Sequence, residues 1–370
     1  MDTDEPSMKP AFSVDAPSSQ YLVYAENGLL SELGSILKTQ GVDGTVYIIS
    51  DANVWSSHGE QVVTSLNRNK LESRVFTVEA GEATKNLSTA NQLYEWLASE
   101  RCERKNTLLA LGGGMIGDLT GFVAASFLRG IPFIQIPTSL SAMVDASIGG
   151  KTAVNLSSGK NLVGAFYQPK LVLADLSTLK TLPARELASG WAEAIKHGLI
   201  LDSSLFYMFE ENHNRLINLE PDLTRSVVQR SMEIKGKIVE QDEKETTGLR
   251  MLLNYGHTIG HALESVTNYS SFLHGEAVSV GMVAAGKISV SMGILSNKDL
   301  DRYTTVLTNY GLPTSCPGID PDSVLNAIQM DKKVKDKKIN WILLTEIGQS
   351  FVSSTVDDLV VQDTIKDLCS

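Results

Sequence analysis

Cysteine is scarce in this chain. The 370 residues hold three, Cys102, Cys316 and Cys369, odd in number and far apart in sequence. That usage fits a reducing, cytoplasmic compartment better than a disulfide framework. Long apolar runs are missing too: no stretch approaches the roughly 18 residues that a membrane span needs. The first twenty residues, MDTDEPSMKPAFSVDAPSSQ, carry early acids and no apolar segment. They read as neither a secretory signal nor an Arg-rich transit peptide, and their polar, Pro/Ser-rich texture predicts a mobile arm over 1–20. Bases are the minority charge, 32 Lys and Arg against 43 Asp and Glu, for a net charge of −11. The balance argues against non-specific binding to nucleic acid or anionic membrane, so any local cluster of bases is informative.

What remains is an ordinary globular composition, 42% hydrophobic and 20% charged, in a chain long enough for two domains. From about residue 21 to 180 short β-branched runs alternate with helix-period segments. The runs are Thr45–Ser50, Ser73–Val78, Thr107–Leu111, Phe133–Pro137 and Leu171–Ala174; helical segments include Ala90–Ser99 and Asp118–Leu128. Alternation of this kind predicts a parallel α/β sheet. After Pro183 the texture turns helical, with segments at Arg185–Leu201, Asp222–Val239, Arg250–Val266 and Glu276–Met292 and a late strand at Ile339–Leu344. The expectation is an α/β domain over 21–180 and a mostly helical domain over 181–370.

A glycine cluster joins one strand to one helix in LLALGGGMIGDLTGFVA, where Gly112, Gly114 and Gly117 satisfy G-x-G-x-x-G. Such a turn lets backbone amides approach a pyrophosphate at a helix N-terminus. Asp118 stands where a nucleotide triphosphatase loop needs Lys, which disfavours that class. An earlier strand ends in Asp51-Ala52-Asn53, where an acid can take a ribose hydroxyl. The plain alternative is a tight strand–helix turn without ligand.

Three of the six histidines, His257, His261 and His274, fall within 18 residues. At roughly 100° per residue, Arg250, Asn254, His257 and His261 fall on one line of a helix and Leu252, Ile259, Leu263 and Val266 on the other. Solvated faces favour Lys and Glu, so His and Asn there point to a site. Two His at i and i+4 can share a metal, but Thr258 occupies the position where a zinc peptidase has its Glu. A third ligand has to come from elsewhere, either His274 in the loop-like FLHGEAV or a carboxylate on another helix. Glu193 and Lys196 lie three apart on a helix face, an arrangement most often a surface ion pair. Arg129, Lys151 and Lys160-Asn161 each stand beside a glycine or a loop and together suggest an anionic substrate. Lys332–Lys338 reads as a solvated run.

Six segments in order, GGGMIGDLTGFVA, RGIPFIQIPTSLSAMVDASIGGKTAVN, GKNLVGAFYQP, LPARELASGWAEAIKHGLI, GLRMLLNYGHTIGHALE and LHGEAV, resemble the 3-dehydroquinate synthase family of sugar phosphate cyclases. The resemblance runs from about residue 45 to 348. It implies a homodimer, a Rossmann-like NAD-binding domain and a helical metal domain. The implied reaction turns 3-deoxy-D-arabino-heptulosonate 7-phosphate into 3-dehydroquinate and phosphate, a step of the shikimate pathway toward aromatic amino acids. NAD is reduced and reoxidised within one cycle. By motif, Glu193, His257 and His274 are the implied ligands of Zn2+ or Co2+. The implied NAD residues are Asp51, Asn53, Glu82, Lys85, Gly112, Gly113, Gly114, Asp118, Thr138, Ser139, Thr178, Thr181, Leu182 and Glu186, with Lys151 and Lys160 shared with the substrate. Arg129, Asp145, Lys151, Lys160, Asn161, Lys235, Arg250, Asn254, His261 and Lys332 are the implied substrate residues. His261 and Lys196 are implied in proton transfer, with Lys151, Arg129 and Asp145 at the reacting groups. Because DEKETTGLR is one residue longer than the family spacing, Lys237 is the alternative to Lys235. A sister cyclase acting on another sugar phosphate, a metal-dependent polyol dehydrogenase and an inactive NAD-binding scaffold are the competing readings.

Overall fold

The structure, a computed structural model, describes the backbone of residues 8–335 and 339–370 and the side chains of 8–330 and 339–370. It divides into two units, one running to Leu182 and including Val239–Lys244, the other comprising Pro183–Ile238 and the chain from Glu245. Among the described residues no helix is long and apolar enough to cross a membrane.

In the first unit β1 (Phe12–Ala16) and β2 (Ser19–Glu26) lead into α1 (Leu29–Thr39), β3 (Val46–Asp51) and α2 (Ala52–Arg68). Then come β4 (Ser73–Val78), α3 (Leu87–Ser99), β5 (Thr107–Gly112), α4 (Gly114–Ser126) and β6 (Phe133–Pro137). A hairpin of β7 (Lys151–Leu156) and β8 (Gly159–Phe166) precedes β9 (Leu171–Asp175). One sheet has the order β1-β2-β9-β6-β5-β3-β4, parallel except for the β1–β2 pair. Successive side chains of a strand point to opposite faces, so a strand covered on both sides is apolar throughout. Thus Ile48, Leu109 and Leu111 pack with Leu29, Leu33, Val62 and Leu66 from α1 and α2. Tyr47, Ile49 and Leu108 pack with Leu93, Leu97, Leu119 and Val123 from α3 and α4. From β3 the chain steps outward to β4 and returns on the other side of β3 as β5. The C-terminal ends of β3 and β5 therefore flank the reversal of winding, where open α/β sheets take their ligands.

Part of the expected N-terminal arm is instead sheet. Phe12–Ala16 pairs with Ser19–Val23, and Val14 and Tyr21 are buried. The Asp15 amide donates to Glu240 Oε1 (2.9 Å) and the Ser18 amide to Glu243 Oε2 (3.1 Å). These partners lie 225 residues along the chain, beyond the reach of a local reading.

The second unit holds α5 (Ala184–Leu201), α6 (Ser203–Ile217), α7 (Pro221–Gln241, its end grouped with the first unit) and α8 (His257–Val266). These are followed by α9 (His274–Ser291), α10 (Asn297–Asn309), α11 (Pro321–Lys335), the hairpin β10 (Trp341–Glu346) and β11 (Gln349–Ser353), and α12 (Asp358–Cys369). The single helix expected over Arg250–Val266 is broken. Arg250–Asn254 forms a separate 3₁₀ turn, and Gly256 takes φ 80° before α8 begins. Glycine reaches that left-handed region without the steric cost other residues meet. Helix α9 is buried nearly all round, as a central helix must be. At Gly275 a Cβ atom would stand 1.9 Å from the Ser189 carbonyl oxygen, so α9 and α5 meet backbone to backbone. Cys316 and Cys369, far apart in sequence, are buried with their sulfurs 3.4 Å apart.

Candidate active site

Three helices of the second unit supply a carboxylate and two imidazoles. Glu193 sits midway along α5, whereas His257 and His274 are the first residues of α8 and α9. The loop-like setting expected for His274 is thus a helix start, and the Gly275 amide donates to Ser189 Oγ (3.0 Å), one turn before Glu193 on α5. Glu193 Oε1 lies 3.4 Å from His274 Nε2 and 3.7 Å from His257 Nε2. That oxygen is buried and makes no hydrogen bond among the described residues. Donor atoms about 2.0–2.2 Å from a tetrahedral metal stand about 3.4 Å from one another, so the three residues fit a divalent ion. Their donor atoms all lie within 4.8 Å.

Electrostatics set the charge on these groups. Lys196 Nζ donates to the other oxygen, Glu193 Oε2, and the pair is buried rather than on the surface. Burial alone would raise the Glu193 carboxyl, but Lys196 and the two imidazoles outweigh it and hold it well below the usual range. Burial, and next Lys196, push the His257 ring well below its usual value, which favours the neutral, ligating form. Burial also lowers His274, but the carboxylates of Glu193 and Glu264 prevail and push it up to about 10. The His257 Nδ1 lies 3.2 Å from the Tyr255 carbonyl oxygen. His261, exposed and one turn along α8, has its ring 5.2 Å from that of His257 and 6.0 Å from that of His274.

The other implied substrate residues of this unit divide by environment. Arg250 and Lys235 are buried and Asn254 is exposed. Lys237, the alternative register, is 59% exposed and paired with Glu233 at 2.8 Å. The Lys332 side chain lies outside the described residues. Sequence reading overlooked Glu264, whose Oε2 is 3.3 Å from His274 Nδ1. Its spacing of three from His261 was the available signal.

In the first unit the glycine turn occupies the winding reversal. Gly113 precedes α4 without any side-chain cap, so the first amides of that helix are available to an anion. Gly117 has a packing reason as well, since a Cβ there would meet Gln135 Oε1 at 2.6 Å. Lys85 is buried against Asp118 (2.7 Å) and faces Glu82 (3.6 Å). Glu82 accepts from Asn155 Nδ2 (2.8 Å), and Asn155 Oδ1 accepts the Asn161 amide (2.8 Å). Asp51 Oδ1 caps α2 by accepting the amides of Asn53 and Val54. Thr138 and Ser139 follow β6, and a Cβ on Gly113 would stand 3.3 Å from Ser139 Oγ. Thr178, Thr181 and Leu182 follow β9, with Thr181 Oγ1 2.9 Å from His58 Nε2. Glu186 is exposed in the first turn of α5. Arg129 is exposed on a left-handed turn shared with Leu128, Asp145 is half-buried in a short π-helical turn, and Lys151 and Lys160 lie on the β7–β8 hairpin.

The fold that carries this uncapped glycine turn and this Glu-His-His set is that of sugar phosphate cyclases. The structure matches 2-epi-5-epi-valiolone synthase from Streptomyces hygroscopicus subsp. jinggangensis 5008, solved with NAD+ and Zn2+ bound. The TM-score is 0.87 at 28% identity, covering 94% of this chain and 96% of that one. It matches 2-deoxy-scyllo-inosose synthase, complexed with carbaglucose-6-phosphate, NAD+ and Co2+, at TM-score 0.87 and 27% identity, covering 96% and 99%. Glycerol dehydrogenase from Schizosaccharomyces pombe shares the fold alone, at TM-score 0.66 and 17% identity over 98% of this chain and 91% of that one.

Within that class the chain belongs to the 3-dehydroquinate synthase family. Residues 75–189 match the family's N-terminal model and 190–334 its C-terminal model. The 3-dehydroquinate synthase of Rippkaea orientalis is 46% identical over 95% of this chain and 97% of its own. That of Thermoanaerobacter pseudethanolicus is 41% identical over 95% and 98%.

Proposed function

We propose that this protein is a 3-dehydroquinate synthase: a lyase that converts 3-deoxy-D-arabino-heptulosonate 7-phosphate to 3-dehydroquinate and phosphate in the shikimate pathway. It uses bound NAD and one divalent metal, Zn2+ or Co2+, and works as a cytoplasmic homodimer. The observation that carries the reading is the meeting of Glu193, His257 and His274 at the starts and middle of three helices, in a chain related to curated synthases over nearly its whole length.

When bound, the metal supplies Lewis-acid polarisation of a substrate hydroxyl, and NAD supplies a reversible hydride acceptor. The chain's own residues do the rest. Glu193, His257 and His274 hold the metal, and Lys196 keeps Glu193 ionised. The uncapped start of α4 would hold the NAD pyrophosphate, and Lys85, Asp118, Thr138, Ser139 and Thr178 would line the cofactor. By the family resemblance, Lys151, Lys160, Asn161, Lys235, Arg250 and Asn254 are the residues that would bind the anionic substrate. The fixed positive charge of the lysines and Arg250 stabilises the phosphate as it leaves. His261 takes and returns protons at the reacting carbons and oxygens, as an exposed imidazole beside the metal ligands is able to do.

Phosphate release from 3-deoxy-D-arabino-heptulosonate 7-phosphate, followed with and without chelator and with nicotinamide absorbance recorded, tests this. The expected result is chelator-sensitive release, dehydroquinate as product and no net NADH. Silence on this substrate with metal and NAD still bound points to a sister cyclase, the reading favoured by the likeness to valiolone and inosose synthases. Steady NADH accumulation on a simple polyol identifies a dehydrogenase.

A further inference from the structure

His274 offers its two ring nitrogens to two different carboxylates. Nε2 lies 3.4 Å from Glu193 Oε1, and Nδ1 lies 3.3 Å from Glu264 Oε2. Glu264 stands on α8, seven residues after His257, so two helical turns place it on the same face. It is 6% exposed, and a carboxylate so buried needs partners that justify its desolvation. We propose that Glu264 is a positioning residue for the metal, accepting the Nδ1–H of His274 and so turning Nε2 toward Glu193 and His257. This rests on the metal reading given above.

Once an ion replaces the Nε2 proton, the neutral imidazole carries one N–H, and a hydrogen bond at Nδ1 leaves the Nε2 lone pair to the ion. His257 shows the same arrangement with a different acceptor, since its Nδ1 lies against the Tyr255 carbonyl. Both rings then present Nε2 to Glu193 Oε1. The need is greater at His274. Its side chain is 39% exposed against 13% for His257. A carboxylate in this place also raises the basicity of the imidazole and adds negative charge beside the ion, the usual work of an acceptor behind a metal-bound histidine.

Glu264 belongs to a second combination of donors, with His261 and His274, whose atoms lie within 4.8 Å. A metal held there through His274 Nδ1 excludes the hydrogen bond, so the two arrangements make opposite predictions. The observed Nε2 contact with Glu193 favours the bond.

The test uses the full chain stripped of metal, Zn2+ affinity by competition with a chromophoric chelator, and the visible absorption of the Co2+ form. Glu264→Gln and Glu264→Ala are expected to weaken Zn2+ binding by about 10- to 100-fold, the larger loss in Ala, and to alter the Co2+ bands. Wild-type affinity and an unchanged Co2+ spectrum in both variants overturn the proposal. So does a shift in the unfolding midpoint of the metal-free protein with affinity intact, which marks a merely structural role. Glu193→Gln is measured beside them. If it too keeps wild-type Zn2+ binding, the metal reading itself falls; if it alone loses the ion, only the role of Glu264 falls. Should both Glu264 variants fail to fold, long-range 15N spectra of the Zn2+-loaded wild type decide. Nδ1 protonated and Nε2 coordinated at His274 supports the proposal, and Nδ1 coordinated overturns it.

Discussion

Lys196 and Glu193 form an ion pair within a single turn of α5, and each side chain is only 1% exposed. At the surface such a pair contributes little. Here the lysine neutralises a carboxylate that the surrounding core would otherwise expel or protonate, and it leaves the second carboxylate oxygen to face the imidazoles.

Removing the lysine strands the charge. Lys196→Met is expected to destabilise the metal-free protein by about 3–5 kcal/mol, the usual cost of breaking one side of a buried pair. Urea titrations of the wild type and the variant check this. Equal midpoints in both refute the neutralising role.

The ligand assignment makes its own demand. Glu193→Gln and His257→Ala are each expected to abolish metal retention while leaving a folded chain, because two donors do not close a tetrahedral site. Elemental analysis after purification, with far-UV dichroism as the folding control, gives the answer. Full occupancy in both would sink the assignment.

Gly275→Ala tests the packing behind the site. The added methyl would begin 1.9 Å from the Ser189 carbonyl oxygen, so α9 must move away from α5. A loss of about 1–3 kcal/mol or more is expected, as for other overpacked contacts, together with weaker Zn2+ binding because His274 moves with the helix. Stability lost without any change in affinity means that the helix start is not what places the imidazole.

Glu243 supplies a pH dependence. Burial raises its carboxyl, but hydrogen bonds from Ser18 and Gln168 outweigh it and set it below the ordinary value. A carboxyl depressed in the folded state adds stability that is complete above its unfolded pKa, about 4.3, and disappears as pH falls through the folded value. Glu243→Gln is therefore expected to cost about 1.5–3 kcal/mol near neutrality, the usual worth of hydrogen bonds to a charged group. The gap from wild type should close in acid. A gap that stays constant with pH contradicts the charged role.

Much of this was legible along the chain, and the boundary of legibility is physical. The runs at Thr45–Ser50 and Thr107–Leu111 announced strands of a parallel sheet because burial on both faces leaves little polar to alternate. Glu193, His257 and His274 were reached through the family resemblance, since residue spacing alone had left the third donor open. What escaped depends on contacts distant in sequence. The hairpin that begins with Phe12–Ala16 is secured by Glu240 at Asp15 and Glu243 at Ser18, and Cys316 meets Cys369 only after the chain has folded. The break at Gly256 was hidden for another reason: an apolar stripe at helical period continues across it, and periodicity says nothing about the sign of φ.

The contact at Gly275 and its counterpart at Gly281, where a Cβ would stand 1.9 Å from the Gly256 carbonyl oxygen, act as detents. Helix α9 cannot slide or rotate by one residue without driving a side chain into backbone, so it has one seating. The donor atoms of Glu193, His257 and His274 are thereby brought to within an ion's span by the folded chain itself. On the proposed metal reading, little of an ion's binding energy would go into gathering them, and more would be left for holding it tightly.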